Sequence, residues 1–336
     1  MTMSDQQYES GKPPAKLRDV AEMAGVSIAT ASKALNGRVH VHPATRDKVL
    51  RTAEKLSFAG KISSKHTGTV GLITSDLDGR FSIPILMGAE DAFGTGRVSV
   101  MLCDARGDSI REQYHLQALL EKNVDGLILV GSTTDPRKSL GHDLPVPVVY
   151  VYAPSEDPTD LSLVPDDRQA GAEAAVYLVR SGRSRIAHIT GDVAYTAARD
   201  RAAGVEAALA EAKLPLAGGE TLYGAWSESW GRTATERLIN GGVDFDAILC
   251  GSDQIARGAL EILREHQIAV PSQVAVMGLD NWHLFVEGGR PLLTSVDMNL
   301  EGLGRAAAQR LSEAIGGQVA QGIERMPCKL VVRESA

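Results

Sequence analysis

The sequence predicts an α/β protein in which a small N-terminal helix-turn-helix module precedes two doubly wound lobes. Three observations support this fold class. Residues 17–56 contain three short helical segments with a tight turn between the first two. From about residue 70, short apolar runs alternate with amphipathic helical segments, and the alternation occurs in two series. The length of 336 residues fits two domains besides a small module, at roughly 100 to 200 residues each.

Charge is distributed unevenly along the chain. Residues 12–66 contain eleven Lys or Arg and four Asp or Glu, whereas the whole chain has a net charge of -7. A basic N-terminal end on an acidic body is typical of a module that contacts the phosphates of nucleic acid. The alternative for such a run is a solvated basic surface.

The sequence argues against a secreted or membrane protein. Cys103, Cys250 and Cys328 lie far apart, so we expect free thiols of a reducing compartment rather than disulfides or a metal site. Residues 1–11 are polar and lack the apolar core of a signal peptide. No run reaches the ~20 apolar residues of a membrane helix. We therefore expect a cytoplasmic protein.

The N-terminal module is predicted to span residues 15–57, after a disordered tail over residues 1–14. Its turn is Gly25-Val26-Ser27, and Ser27 is a suitable N-cap for a helix over residues 28–35. In such a module the second helix enters the major groove of DNA. The predicted apolar core consists of Val20, Val26, Leu35, Val49, Ala53 and Leu56.

Exposed positions of this second helix are the candidate DNA contacts. Ile28 and Ala29 are apolar and suit thymine methyl groups, whereas Lys33 can reach a guanine edge or a phosphate. Thr30 and Ser32 carry short hydroxyls that can bind phosphate. A lysine is common on any exposed helix, so Lys33 alone does not indicate DNA binding. The indication comes from the spacing of the alanine, the Gly-Val-Ser turn, Thr30, Ser32 and Asn36 together.

Four segments, together with Thr30 and Ser32, resemble the signature of the lac-repressor (LacI/GalR) family of bacterial transcription regulators. They are Asp19-Val-Ala, Ala24-Gly-Val-Ser27, Leu35-Asn36 and Thr45-Arg46. The resemblance covers the whole module and continues to the C-terminus. It implies that Ile28, Ala29 and Lys33 read bases. It also implies that the DNA backbone is contacted by Ser27, Thr30, Ser32, Asn36, His40 and Thr45.

The linker over residues 58–69 departs from the family pattern. The resemblance implies a hinge helix that inserts a leucine into the minor groove and kinks the operator. Here the linker is shorter than usual and lacks the Asn-x-x-Ala-Arg-x-Leu core. Ile62 is the large apolar residue available as a wedge. The alternative is a flexible basic tether, with Lys61 and Lys65, that orders on DNA through phosphate contacts.

Residues 70–336 are predicted to form a two-lobed body that binds an effector and forms the dimer. Buried parallel strands are expected at 70–73, 98–103, 126–130, 146–152, 185–189, 221–223, 247–250 and 274–277. A late strand (292–296), helix (300–315) and strand (328–332) close the lobes. We expect an N-lobe of about 70–164 and 291–322 and a C-lobe of about 165–290 and 323–336. The resemblance implies a fold like that of periplasmic sugar-binding proteins.

Polar and aromatic residues follow several of these strands, where ligands of doubly wound sheets bind. Aromatic rings suit the apolar faces of a sugar, and carboxylates and arginine suit its hydroxyls. The candidates for effector binding are Asp76, Asp78, Phe81, Arg201, Trp226, Asp253 and Asp280. The resemblance implies this role for Phe81, Arg201, Trp226, Asp253 and Asp280. Ser82 replaces a second phenylalanine of many members, which predicts a roomier or more polar pocket.

Structural roles are the alternatives for most of these candidates. Asp253 is also a candidate N-cap for the helix that follows it, and Asp76 and Asp78 are candidate caps of an earlier helix. Trp226 alone would more often pack between lobes. Arg201 lies among charged helix residues and could belong to a solvated ion pair.

Together these features predict a homodimeric repressor that binds a palindromic operator and is controlled by a small effector, a sugar or sugar derivative. No cofactor or metal is expected, because the sequence lacks phosphate-binding glycine motifs, a nucleophile elbow and metal-ligand spacing of its histidines. An enzyme is therefore not expected. One alternative is a cytoplasmic sugar-processing enzyme or sugar receptor that the module tethers to DNA. A narrower alternative keeps the regulator but has the ligand increase its DNA affinity, as a corepressor, and the sequence does not separate inducer from corepressor or repressor from activator. Arg201→Ala is expected to abolish the effector response while leaving basal DNA binding intact.

Overall fold

A computed structural model of the protein describes residues 16–35, 42–56, 68–77, 80–94 and 98–336. The chain divides into two compact units, residues 1–67 and residues 68–336. The predicted tail and almost all of the predicted linker lie outside the described residues. The same holds for four candidate site residues, Asn36, His40, Ile62 and Asp78.

Described residues of the first unit form the helices α1 (Leu17–Met23), α2 (Ile28–Leu35) and α3 (Pro43–Lys55). In the turn between α1 and α2, Gly25 has φ of 64°, a conformation that glycine adopts without a steric penalty. The hydroxyl of Ser27 accepts the backbone N–H of Thr30 at 3.0 Å, which confirms the predicted N-cap. Small residues let the helices approach, and the core consists of Val20, Ala21, Ala24, Ala31, Ala34, Leu35, Val49 and Ala53, with Val26 and Leu56 packed against it.

The second unit begins with a series of alternating strands and helices. Its elements are β1 (Thr69–Thr74), α4 (Ser82–Phe93), β2 (Ser99–Asp104), α5 (Ser109–Glu121), β3 (Gly126–Val130), β4 (Val148–Val151) and β5 (Leu161–Pro165). Strands β3 and β5 are buried along their whole length. Continuous apolar burial of this kind is typical of parallel strands covered by helices on both faces.

A second series follows, with α6 (Asp167–Arg180), β6 (Ile186–Thr190), α7 (Thr196–Glu211), β7 (Leu222–Tyr223), α8 (Glu228–Asn240), β8 (Ala247–Cys250), α9 (Asp253–Glu265), β9 (Ala275–Asp280), α10 (His283–Val286) and β10 (Thr294–Asp297). The chain ends with α11 (Leu300–Ile315), β11 (Gly322–Met326) and β12 (Lys329–Val331). Cys250 and Cys328 are buried free thiols and Cys103 is half-buried. No described helix is long and apolar enough to cross a membrane.

Described strands form two sheets, one in each lobe. The N-lobe sheet has the order β11-β5-β4-β3-β1-β2, and its strands are parallel. The C-lobe sheet has the order β12-β10-β9-β8-β6-β7, with β12 antiparallel to β10 and the other strands parallel. This arrangement confirms the predicted pair of doubly wound lobes.

The predicted lobe boundaries were wrong near the end of the chain. β10 pairs in parallel with β9, and Val296 packs in the C-lobe core, so residues 294–297 belong to the C-lobe. β11 pairs with β5, so residues 322–326 belong to the N-lobe. The chain therefore returns to the N-lobe only with α11. Sheet pairing decides these boundaries, and the apolar pattern of a single strand does not reveal its partner.

Candidate functional site

Helix α2 presents its predicted base-reading side chains to solvent. Ile28 is 51% exposed, and Ala29 and Lys33 are exposed as well. The opposite side of α2 is buried in the module core through Ala31, Ala34 and Leu35. Two apolar groups and one cation on the free side of a short helix fit the thymine methyl groups and the acceptor edge of guanine in a major groove.

The predicted backbone contacts of the module are partly exposed hydroxyls. Ser27 is exposed, and its Oγ lies 2.8 Å from Oγ1 of Thr30. Thr30, Ser32 and Thr45 are half-buried. The start of α2 therefore carries two hydroxyls, those of Ser27 and Thr30, and serine and threonine hydroxyls are groups that bind phosphate oxygens of DNA.

A cavity of about 200 Å³ lies between the lobes, at the C-terminal ends of the strands. Both lobes contribute to its lining. The residues are Arg80, Phe81, Ser132, Thr133, Thr134 and Tyr152 from the N-lobe and Tyr195, Ala197, Arg201, Trp226 and Asp280 from the C-lobe. A cavity that needs both lobes changes shape when the lobes move, so a ligand here can report on their separation.

Aromatic rings from both lobes line this cavity. In the N-lobe, Phe81 stacks on Tyr152 with ring centroids 4.5 Å apart. In the C-lobe, Tyr195 meets Trp226 edge to face at 6.3 Å. Gly191 is required beneath Trp226, because a Cβ at this position would lie 2.1 Å from the indole ring. The rings offer flat apolar surfaces at fixed positions to a ligand such as a sugar ring.

Arg201 is the buried cation of the site, with 2% of its surface exposed. Its Nε donates to Asp167 at 2.7 Å, and its Nη1 donates to the carbonyl oxygen of Gly251 at 2.6 Å. The same Nη1 lies 3.4 Å from Oδ1 of Asp280. Its Nη2 lies 3.9 Å from Sδ of Met298, so the whole guanidinium is held in one orientation in the cavity lining.

Two lining residues have strained backbones. Tyr152 has φ of 71° and Asp280 has φ of 105°, and neither is glycine. Such conformations cost about 1 to 3 kcal/mol each and persist where the surroundings enforce them, often at ligand sites. Tyr152 directly follows β4 and Asp280 is the last residue of β9, and both residues line the cavity.

Thr134 provides a free polar group in the cavity wall. Thr134 is 7% exposed, and within the described part of the chain its hydroxyl has no hydrogen-bond partner. A buried hydroxyl without a partner is unfavourable. A ligand hydroxyl in the cavity would remove this cost, so Thr134 is a candidate contact that the sequence did not indicate.

Asp253 does not line the cavity. It is fully buried, its Oδ1 accepts the hydroxyl of Ser295 at 2.6 Å, and its Oδ2 accepts the backbone N–H of Trp282 at 2.7 Å. The N-cap of α9 is Ser252, so the alternative role of Asp253 as N-cap was wrong. Its carboxyl therefore fixes Trp282, two residues after Asp280, which is the last residue of β9.

Burial raises the pKa of Asp253 to about 8, and nearby Asp280 adds to the shift. In the unfolded chain its pKa is about 4. Between these values the folded protein holds a proton that the unfolded chain has released, so this group makes stability fall as pH rises from about 4 to about 8. We expect Asp253→Asn to flatten the pH dependence of the urea unfolding midpoint over that window.

A matched control for this measurement is Glu313→Gln. Hydrogen bonds from Arg310 and Gln309 lower the pKa of Glu313, so its carboxyl stays ionised in the folded protein over most of the same window. The Glu313 variant should keep the wild-type slope. Equal slopes in wild type and the Asp253 variant would contradict the assignment of this proton to Asp253.

Comparison with known proteins identifies both parts of the chain. Residues 16–60 match "Bacterial regulatory proteins, lacI family", and residues 175–336 match "Periplasmic binding protein-like domain". Catabolite control protein A of Priestia megaterium is 30% identical over 325 residues, which cover 94% of this chain and 98% of the relative. The chain belongs to the lacI family. It is a DNA-binding transcription regulator, as the signature in the module implied.

Solved structures of lacI-family proteins share the fold. A complex of the transcriptional regulator CelR with cellobiose has 29% identity and a TM-score of 0.65, with 96% of this chain and all of that chain covered. A lac repressor dimer bound to operator and an anti-inducer has 25% identity and a TM-score of 0.68, with coverage of 96% and 99%. The predicted family and fold class are thereby confirmed.

In this lacI-family chain, the structure brings four predicted effector residues to one cavity: Phe81, Arg201, Trp226 and Asp280. The burial of Arg201 also shows that the alternative of a solvated pair was wrong. Asp76 lies outside the lining. Its backbone oxygen accepts the hydroxyl of Ser82 at 2.7 Å, and its N–H donates to Thr74.

Ser82 does not make the pocket more polar. It is 2% exposed, and its hydroxyl lies 2.6 Å from that of Thr74, behind the cavity wall. The sequence also failed to indicate several lining residues. Tyr152 directly follows β4, and the run Ser132-Thr133-Thr134 begins two residues after the end of β3, so their position after apolar strands was a usable signal. Asp167 had no such signal, because α6 was not recognised.

Proposed function

We propose that this protein is a repressor that binds a palindromic operator as a homodimer and responds to a sugar or sugar derivative bound between its lobes. The observation that carries the effector assignment is the cavity lined by aromatic rings of both lobes, Arg201, Asp280 and the hydroxyl of Thr134, which has no partner among the described residues. Rings bind the apolar faces of a pyranose or furanose, and the polar groups bind its hydroxyls.

Related structures support this choice of ligand and assembly. The CelR structure is named as a complex with cellobiose, and the lac repressor structure is named as a dimer bound to operator. A two-fold symmetric dimer places two copies of α2 on two half-sites, which is why the operator is expected to be palindromic. We infer a cytoplasmic location, where the DNA target is found. The matched relatives are regulators, which favours this proposal over a sugar-processing enzyme.

Selection of bound duplexes from a random library tests the proposal. We expect enrichment of a palindrome, with an affinity that falls steeply with salt because phosphate contacts release counterions. Absence of a sequence preference together with a shallow salt dependence would contradict it. A thermal-shift screen of monosaccharides, disaccharides and phosphosugars then identifies the effector, since a ligand at 100 times its Kd stabilises by about 2.7 kcal/mol.

Lys33→Ala is expected to weaken binding to the selected operator by about 1 to 3 kcal/mol, because a lysine on a guanine edge contributes discrimination of that size. Fluorescence anisotropy with the operator and with an unrelated duplex of equal length measures both affinities. The loss should be confined to the operator. An equal loss on both duplexes would assign Lys33 to a phosphate instead.

A further inference from the structure

Arg80 extends across the cleft between the lobes. It lies in the N-lobe, immediately before Phe81 and α4, yet its Nη2 is 3.1 Å from Oδ2 of Asp280 in the C-lobe. Its Nη1 lies 3.5 Å from the side-chain oxygen of Gln254 in α9, also in the C-lobe. Only 14% of the Arg80 side chain is exposed. One N-lobe side chain therefore contacts two C-lobe elements.

Aromatic rings from both lobes enclose the same guanidinium. Its Cζ lies 4.8 Å from the ring centroid of Phe81 and 5.2 Å from that of Trp282. Phe81 belongs to the N-lobe and Trp282 to the segment after β9. A planar cation between two ring faces gains attraction from both, and more so where water is excluded. The contact is lost if the lobes move apart.

Arg80 also separates two cavities. Besides the 200 Å³ cavity, it lines a neighbouring cavity of about 330 Å³ that extends toward Trp282, Asn299 and Arg305. Phe81 and Asp280 line both cavities as well. The Arg80–Asp280 ion pair is thus part of the wall between them, and its two halves come from opposite lobes.

We propose that Arg80 is a latch that holds the two lobes closed and couples lobe closure to occupancy of the cavity. The proposal deepens the proposed function, on which it rests, by naming the residue through which the site is regulated. Asp280 lies near Arg201 through Oδ1 and near Arg80 through Oδ2. A ligand that binds Asp280 weakens or strengthens the attraction between Asp280 and Arg80. The ligand therefore has different affinities for the closed and open states of the lobes.

A second contact crosses the cleft independently of the latch. The backbone N–H of Thr196, at the start of α7, donates to Asp135 of the N-lobe at 2.8 Å. This bond remains when Arg80 is replaced. Loss of the latch is therefore expected to add an open population rather than to separate the lobes completely.

Pulsed electron spin resonance tests the latch without DNA or effector. Spin labels on unnatural amino acids at the exposed residues Glu90 (N-lobe) and Glu287 (C-lobe) report the distance between the lobes. Dilution with unlabelled protein keeps each measured pair within one chain. The Arg80→Met variant retains a long apolar side chain between the rings but removes the charge. It should show a second population at longer distance that the wild type lacks.

Arg305→Met is the matched control, because Arg305 lines the neighbouring cavity but pairs with Asp91 and Glu301 of its own lobe. Its distance distribution should match the wild type. Arg80→Lys retains the charge without the planar fork and should give an intermediate open population, which guards against misfolding of the methionine variant. Superimposable distributions for wild type and both Arg80 variants would overturn the latch. Failure of operator selection would instead overturn the proposed function. The distance measurement could still be interpreted in that case, because it uses neither DNA nor effector.

Discussion

Arg201→Met is expected to destabilise the two-lobed body by about 3 to 5 kcal/mol, the usual cost of removing one partner of a buried ion pair. Arg201 is 2% exposed, and Asp167 is 4% exposed. Without the guanidinium, Asp167 would remain buried with its charge uncompensated, and the carbonyl oxygen of Gly251 would lose its donor. The effector response should be lost as well.

Urea unfolding of the wild type and the variant measures the change in free energy. Glu206→Met is the matched control, because Glu206 lies on the same helix but is exposed, and surface substitutions usually stay within about 0.5 kcal/mol. A loss below about 1 kcal/mol for Arg201→Met would contradict the role of the buried pair. The burial revises the sequence-based expectation that a substitution of Arg201 affects the effector response alone.

A double variant separates stability from binding. Replacing both partners of a buried ion pair by apolar residues is often neutral or stabilising. Asp167→Leu combined with Arg201→Met should therefore recover much of the lost stability while the effector response stays absent. If the response returned together with stability, Arg201 would not contact the effector and its role would be structural.

The second helix of the module was predicted correctly, because its determinants are local. The turn at Gly25, the cap at Ser27 and the spacing of small apolar residues act within a few positions, and α2 spans the predicted residues 28–35. The same holds for α11, which spans the predicted residues 300–315. Local signals of this kind need no knowledge of the rest of the fold.

Features that depend on distant partners were not predictable in this way. β10 belongs to the C-lobe because it pairs with β9. Asp167 of α6 belongs to the site because it bonds to Arg201, which lies 34 positions further along the chain. Arg80 and Asp280 are brought together from opposite lobes. Each of these depends on sheet order and lobe closure, which an apolar pattern does not contain.

Gly204→Val is expected to cost about 3 kcal/mol or more, through overpacking of the helix crossing that carries the buried ion pair. Gly204 lies in α7, and a Cβ there would lie 2.0 Å from the backbone oxygen of Arg168 in α6. The reciprocal contact has the same form, since a Cβ at Gly171 of α6 would lie 2.2 Å from the backbone oxygen of Arg201. Backbone atoms of a helix cannot rotate away as a side chain can.

The two helices must therefore separate, and the 2.7 Å bond between Asp167 and Arg201 must lengthen with them. Ala207→Val is the matched control, because Ala207 is exposed on the same helix and its replacement costs only helix propensity, below about 1 kcal/mol.

Gly204→Ala is a second, smaller substitution at the same crossing. Helix propensity alone would make this variant about 1 kcal/mol more stable than the wild type. The contact of the new Cβ with the backbone of α6 predicts a loss of stability instead, so the sign of the measured change in unfolding free energy distinguishes the two effects. A stabilised Gly204→Ala variant would mean that α6 and α7 tolerate a wider spacing and that the crossing does not fix the position of Arg201.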